Sequence, residues 1–541
     1  EEERKIFFLK PDDTKMYTDI LIPKEALQGA KVGQKVFAEI ISWHNQGKAP
    51  IGKIIKVLGK PGDNETEMEA IAIEKGFPLK LPGKIEEEAE KIKKAGIRKE
   101  DYAGRKDMRE TLTFTIDPAD SKDFHDAISF KELNNNEYEI GIHIADVSHY
   151  VRPGSALDNE ARERGTSVYL VDRTIPMLPE ILSNDLCSLV PHKDRLTMSA
   201  IFTLDKNAQV KREWYGRTII HSKKRFTYEE AEISLGHRPT GEAIKKPGAP
   251  LHRELSILNN LAKKLTKERT ARGAISLDQE EVKFVLDAKG VPIKVIKKER
   301  GDSNRLIEEF MLLANRKVAE VLSPKKNRGK AATEHVSIYR VHDLPSREKM
   351  EDLVFFLRSL GHKVNLRDGI IPSNEINKLL VSLTGQNNTM QDTVHRAVIR
   401  SMAKAIYSTK NIGHYGLAFP YYTHFTSPIR RYPDVLVHRL LANHLSGRKI
   451  GPEKLAEYES MTFVASEQEK RASDAERASI KYKQVEYMAH HIGKVFEGVI
   501  SGLNEWGMYV EERETKCEGL VRLRDMDDDF YVFNEKKLEL V

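Results

Sequence analysis

Four aspartates, Asp117, Asp120, Asp123 and Asp126, fall within ten residues in the segment Thr115–Ala127, TIDPADSKDFHDA, with Lys122 the only basic side chain among them. Like charges at this density repel one another unless something positive sits between them. A divalent cation answers that need, and hard oxygen donors select Mg2+ or Mn2+ over zinc. The same residues also suit a solvated turn, because Asp-Pro and Asp-Ser pairs form Asx turns. On these residues alone the two readings are even.

A second constellation lies at Phe419–Arg439, FPYYTHFTSPIRRYPDVLVHR, where Arg430, Arg431 and Arg439 mix with Tyr421, Tyr422, Phe425 and Tyr432. Guanidinium forks grip phosphate and aromatic rings stack on bases. In an arbitrary protein such rings are core and such arginines are surface. His143, His149 and His342 read as structural hydrogen-bonding histidines, and Asp146 and Asp185 as local caps. Glu308 and Glu309 read as ion pairs with Arg305 at helical spacing.

These residues need elements to position them. The length of 541 residues suggests three or four domains. Hydrophobic residues make up 40% and charged residues 31%, a composition with ample core that excludes disorder, collagen and a disulfide scaffold. With only Cys187 and Cys517, a structural disulfide or a cysteine zinc site is not expected. No 18-residue apolar run and no basic-then-apolar leader occurs, so neither a membrane span nor a signal peptide is expected, and we read the compartment as cytoplasmic. A chain opening with Glu rather than Met reads as trimmed. The net charge of +6 is too mild to identify a partner.

Residues 1–80 read as all-β, with strands at Tyr17–Ile22, Lys35–Ser42 and Ile51–Leu58 between glycine turns, and an OB-type barrel is the leading candidate. Residues 81–110 read as a linker whose charged helix, KIEEEAEKIKKAG, stops at Gly96 and acts as a solvated spacer. Residues 111–490 carry strands first, at Thr111–Ile116 and Tyr138–Val147, and helices later. Asn304–Leu322 is helical up to Ser323-Pro324, and long helices run from Pro452 to about His490. Gly236–Pro250 and the basic Lys325–Lys330 read as loops. Residues 491–541 return to β character, too few for a complete barrel. The fold class is therefore multidomain α+β.

The acidic segment, IGIHIADVSHYV (140–151), RGTSVYLVDRTIPMLPEILSNDLCSL (164–189), IEEFMLLAN (307–315), YRVHDLP (339–345) and GHYGLAFPYYTHFTSPIRRYPDVLVHR (413–439) occur in one order. Together they resemble the ribonuclease II/ribonuclease R (RNB) exoribonuclease family over roughly residues 15 to 541. The resemblance implies a cold-shock-type OB domain, a mixed RNB catalytic domain with an RNA tunnel, and a partial C-terminal OB domain. A first cold-shock domain and the end of the last barrel are expected beyond the chain.

It also implies processive 3′→5′ hydrolysis of single-stranded RNA, or RNA with a 3′ overhang, to nucleoside 5′-monophosphates by a monomer with Mg2+, Mn2+ being a substitute. By motif, Asp117, Asp123 and Asp126 match metal-binding carboxylates, and Asp120 ranks below them. Arg430 matches the group that holds the scissile phosphate, and Arg431 is the weaker candidate. Glu476 matches a glutamate near the metals. Tyr169 matches the ring that stacks on the last nucleotides, and Tyr422 and Phe425 are further RNA contacts. The departure is His125: the family carries Asp there, DFDDA against DFHDA here. An imidazole offers one nitrogen and no negative charge. RNA binding should survive and hydrolysis should fall. That leaves two classes, an exoribonuclease with an unusual ligand set and an RNA-binding protein without hydrolysis. A small-molecule metallohydrolase would not explain the flanking barrels.

Overall fold

The computed structural model describes residues 2–3, 6–13, 15–44, 47–237, 250–275, 281–298, 300–323, 336–383, 388–448, 450–534 and 539–541. The basic segment 325–330 and most of 236–250 lie outside the described residues.

At the N-terminus a five-stranded sheet runs in the order Glu2–Glu3, Ile6–Leu9, Ile20–Ile22, Ile51–Gly59, Lys35–Ser42. Alternating apolar residues put Ile20, Ile22 and Ile54 in its small core. The all-β expectation for residues 1–80 is corrected by a helix at Asn64–Glu74. Met68 and Ala72, one turn apart, are fully buried and pack with Phe77 against Val168, Leu170, Ala472 and Ala475. The helix thus seats this domain on the central one.

The helix Gly83–Ala95 ends where predicted, at Gly96 with φ +59°. It is not a solvated spacer. Ile85 and Ala89, again at i and i+4, are buried in the main core.

The central sheet has seven strands in the order Lys224–Thr227, Thr113–Asp117, Asp126–Glu132, Tyr138–Ala145, Asp194–Leu204, Val210–His221, Lys106–Asp107. Its two outer pairings are parallel and the rest antiparallel. The helix Asp302–Leu322 covers it with Leu306, Phe310, Leu313 and Val318, and stops at an extended Ser323 just before Pro324. Three further helices, Arg347–Ser359, Ser373–Leu383 and Asn388–Ser401, close around a separate apolar core. The late helical segment is one continuous helix, Leu455–Ala489, of 35 residues and about 50 Å.

Beyond it, Gly498–Asn504, Gly507–Glu512 and Glu518–Arg522 form an antiparallel sheet, with a short hairpin at Phe533–Asn534 and Glu539–Leu540. No closed barrel is formed among the described residues at this end. No described helix is long and apolar enough to cross a membrane.

Candidate active site

Asp117 is the last residue of one central strand and Asp126 the first of its antiparallel neighbour. Pairing of Phe114 with Ile128 brings the chain back on itself, so residues 118–125 form a loop with one carboxylate at each root. The loop is fastened to the segment after Asp185. Phe124 N–H donates to Ser188 Oγ (3.0 Å), Ser188 Oγ–H donates to the Lys122 carbonyl (3.0 Å), and Leu189 N–H donates to the Phe124 carbonyl (2.7 Å). Ala145 N–H holds the His125 carbonyl at 3.0 Å.

Both root carboxylates are buried, Asp117 at 4% exposure and Asp126 at 7%. Burial, with added repulsion from Asp123, pushes Asp117 up to about 7. Burial and then the Asp117 charge push Asp126 up to about 8. Asp117 Oδ2 is buried with no hydrogen-bond partner. Asp123 is half-buried and accepts from Ser121 Oγ–H at 3.1 Å.

Asp120 does not join them. It is exposed and pairs with Lys283 Nζ at 2.6 Å, which draws its carboxyl below the usual range.

His125 lies inside the cluster. Burial, and then the Arg430 charge, push its imidazole down to about 3, so the ring is neutral at ordinary pH. Nδ1 stands 3.2 Å from the Asp123 carbonyl, which assigns the single proton to Nδ1. The bare Nε2 therefore faces Asp126 Oδ1 at 3.2 Å. Two lone pairs at that distance call for a proton or a cation between them, and the raised Asp126 carboxyl is able to supply the proton.

Arg430 faces this cluster, and its charge acts on both His125 and Asp126. Its backbone is pinned to the 166–167 segment: Thr166 Oγ1–H and Ser167 N–H both donate to the Arg430 carbonyl at 3.0 Å. Tyr169, two residues on, is 39% exposed, and Arg430, Asp123 and Glu476 all act on its phenol. Glu476 is exposed on the late helix, its carboxyl raised by partial burial and by Glu281. The fold thus brings together Asp117, Asp123, His125, Asp126, Arg430 and Tyr169, with Glu476 within electrostatic reach of Tyr169.

Three expected RNA contacts are placed elsewhere. Arg431 is turned inward onto Asp434 (2.7 Å) beside Tyr407 and Tyr422, and only its charge reaches His125 and Tyr169. Tyr422 is buried, its hydroxyl accepting from Asn315 Nδ2 at 3.3 Å. Phe425 is fully buried beside the His438 ring. Rings and guanidinium so enclosed are packing elements rather than a stacking platform. Phe425→Ala should therefore lower stability by about 3–5 kcal/mol in urea titration. A ring lining an open groove would instead lose RNA affinity at unchanged stability.

The remaining candidates have structural partners. Arg439 holds Asp158 (2.7 Å), Asp146 lies between Arg105 (2.8 Å) and Arg217 (3.2 Å), and Asp185 meets Lys93 (2.9 Å). His143 bridges Ser199 and Ser129, and His342 bridges the Ala403 carbonyl and Gly416 N–H. Glu309 pairs with Arg269 of a neighbouring helix. Sequence reasoning missed the part that Ser188 and Arg225 play in holding the acidic loop from distant segments; Ser188 lies in the quoted segment 164–189 and Arg225 in none.

Among the described residues no three His, Cys, Asp or Glu side chains gather as a preformed cage for a metal ion. A Mg2+ site does not require one, since that ion is commonly held by one or two carboxylates with waters and substrate phosphates. The partnerless Asp117 Oδ2 and the mutual repulsion of Asp117 and Asp126 fit such an ion.

Residues 105–447 match the RNB domain and residues 8–82 a cold shock domain. Ribonuclease R of Thermotoga maritima is 40% identical over 547 residues, covering 99% of this chain and 74% of that protein. The structure of Mycoplasma genitalium RNase R in complex with ribose-methylated single-stranded RNA superposes with a TM-score of 0.88 at 26% identity, over 99% of this chain and 83% of that one. Yeast Ssd1, a pseudonuclease, shares the fold at a TM-score of 0.76 and 20% identity, over 99% of this chain and 66% of that one. With the RNB match spanning most of the chain and the acidic loop inside that span, the protein belongs to the RNB family and is most like ribonuclease R.

Proposed function

We propose that the protein is a divalent-metal-dependent 3′→5′ exoribonuclease that shortens single-stranded RNA to nucleoside 5′-monophosphates, with turnover held back by His125. One observation carries this reading: two buried, mutually repelling carboxylates, Asp117 and Asp126, stand at the roots of one loop and Arg430 faces them. The M. genitalium RNase R complex with single-stranded RNA supports the same class of substrate.

Asp117 and Asp126, with Asp123, would hold Mg2+ or Mn2+, which supplies positive charge for the scissile phosphate and the attacking water. Arg430 would add a guanidinium, on a backbone pinned by the two donors to its carbonyl and with Nη2 donating to Ser427 Oγ at 3.3 Å. Tyr169 offers an exposed ring for the terminal base. Glu476, with its raised carboxyl, is suited to handling a proton. His125 contributes one nitrogen where a carboxylate would add charge and a second oxygen. We assign capture of the strand to the end domains, residues 1–80 and 491–541, and chemistry to residues 111–490, with 81–110 as the connection. We further propose a cytoplasmic monomer acting on single strands or 3′ overhangs.

The second reading, an RNA-binding protein without hydrolysis, is favoured by His125 alone. A time course on 5′-labelled single-stranded RNA in Mg2+, Mn2+ or EDTA separates the two. Stepwise shortening to a small end product that stops in EDTA is expected. Internal fragments, or intact RNA in both ions, would overturn the exoribonuclease, and intact RNA in a retarded band would identify the binder.

A further inference from the structure

The edge strand Lys224–Thr227 joins the central sheet parallel to Thr113–Asp117, which sets Arg225 opposite Thr115 and Thr227 opposite Asp117. From there Arg225 Nη2 donates to the carbonyls of Pro118 (2.8 Å) and Ala119 (3.1 Å), the first two residues of the acidic loop. The same guanidinium lies over the Phe124 ring, 5.0 Å from its centroid. Phe124 stands two residues before Asp126. One side chain therefore grips the loop next to Asp117 and, through the ring, next to Asp126. Ser188 and Leu189 anchor the 122–124 end of the loop, and Arg225 ties the 118–119 end to it.

We propose that Arg225 is a positioning residue for the hydrolysis assigned above, setting the separation of Asp117 and Asp126 by clamping the loop that joins them. It acts through backbone carbonyls and the Phe124 ring, and its charge also reaches Asp117. One guanidinium nitrogen, Nη2, serves both carbonyls while the delocalised group lies over the ring. A lysine ammonium keeps the charge but gives up that geometry. Small displacements of reacting groups are expensive in rate, so the effect should appear in kcat.

The inference rests on the exoribonuclease reading, and its test separates the two. Arg225→Ala, Arg225→Lys and Phe124→Leu are compared with the parent and in a His125→Asp background, by kcat and KM on single-stranded RNA and by amide exchange. Arg225→Ala should lower kcat about tenfold to hundredfold with KM within about twofold, and Arg225→Lys should recover part of the loss. Exchange should quicken across 118–125 and stay unchanged in Asp194–Leu204 and Val210–His221. Phe124→Leu should show a smaller loss of the same kind. Unchanged kcat with unchanged loop exchange would overturn the clamp, as would a global loss of protection with kcat and KM moving together. If neither parent nor His125→Asp protein hydrolyses RNA, the function reading fails by itself, and exchange across 118–125 still decides whether Arg225 holds the loop.

Discussion

A His125→Asp variant is expected to hydrolyse single-stranded RNA in Mg2+ about a hundredfold faster than the parent chain. The expectation follows from what Nε2 faces. The neutral ring points its one lone pair at Asp126 Oδ1, 3.2 Å away, and adds no negative charge to the cluster. A carboxylate at the same place adds a charge and a second oxygen, and Mg2+ prefers oxygen donors to imidazole. A gain of about 3 kcal/mol in transition-state stabilisation is about two decades in rate. RNA affinity should stay within about twofold, because the His125 ring is engaged with Asp126 and the Asp123 carbonyl. The parent's residual activity should favour Mn2+ over Mg2+, since imidazole suits the softer ion. Single-turnover rates for both proteins in each ion check this, and equal Mg2+ rates would remove His125 as the brake.

Asp126→Asn should abolish hydrolysis, by about 10³-fold or more, and yet stabilise the ion-free protein. The native carboxyl is pushed up to about 8, while an unfolded aspartate titrates near 3.9. Between those values the native state keeps a proton that the unfolded chain has released, so stability falls as pH rises from about 4 to about 8. Asparagine removes that loss. In EDTA near pH 8 the variant should melt above the parent, and below about pH 4 the two should converge. Mg2+ should raise the parent's melting temperature near pH 8, because a bound ion stabilises the native state, and should leave the variant's nearly unmoved. Parallel melting curves across pH, with and without Mg2+, would mean that Asp126 is neither strained nor a ligand.

Local spacing carried a good part of the architecture. Lys35–Ser42 is a strand with the predicted bounds, and Asn304–Leu322 extends by only two residues at its start, to Asp302. The helix before Gly96 ends as its glycine requires. These features depend on periodicity, turn chemistry and the residues that stop helices, all of which act within a few positions along the chain. The helix Asn64–Glu74 was missed because it follows three strand-like runs and its buried pair, Met68 and Ala72, is meaningful only against Val168 and Ala472.

The sequence by itself determined that four aspartates crowd one strand–loop–strand segment, that a histidine interrupts them, and that arginines and rings crowd another. Only the tertiary structure decided which of them meet. Arg430 and Arg431 are neighbours in the chain, but one faces the carboxylates and the other is enclosed on Asp434. Tyr169 stands open while Tyr422, with the same side chain, is sealed in, as is Phe425. Asp120 leaves the cluster for Lys283, and Arg225 reaches the loop from 107 residues beyond Pro118. The physical reason is range. Charge spacing and helical or strand period are set by adjacent residues, whereas the direction a loop side chain faces is set by whichever distant segment packs over it.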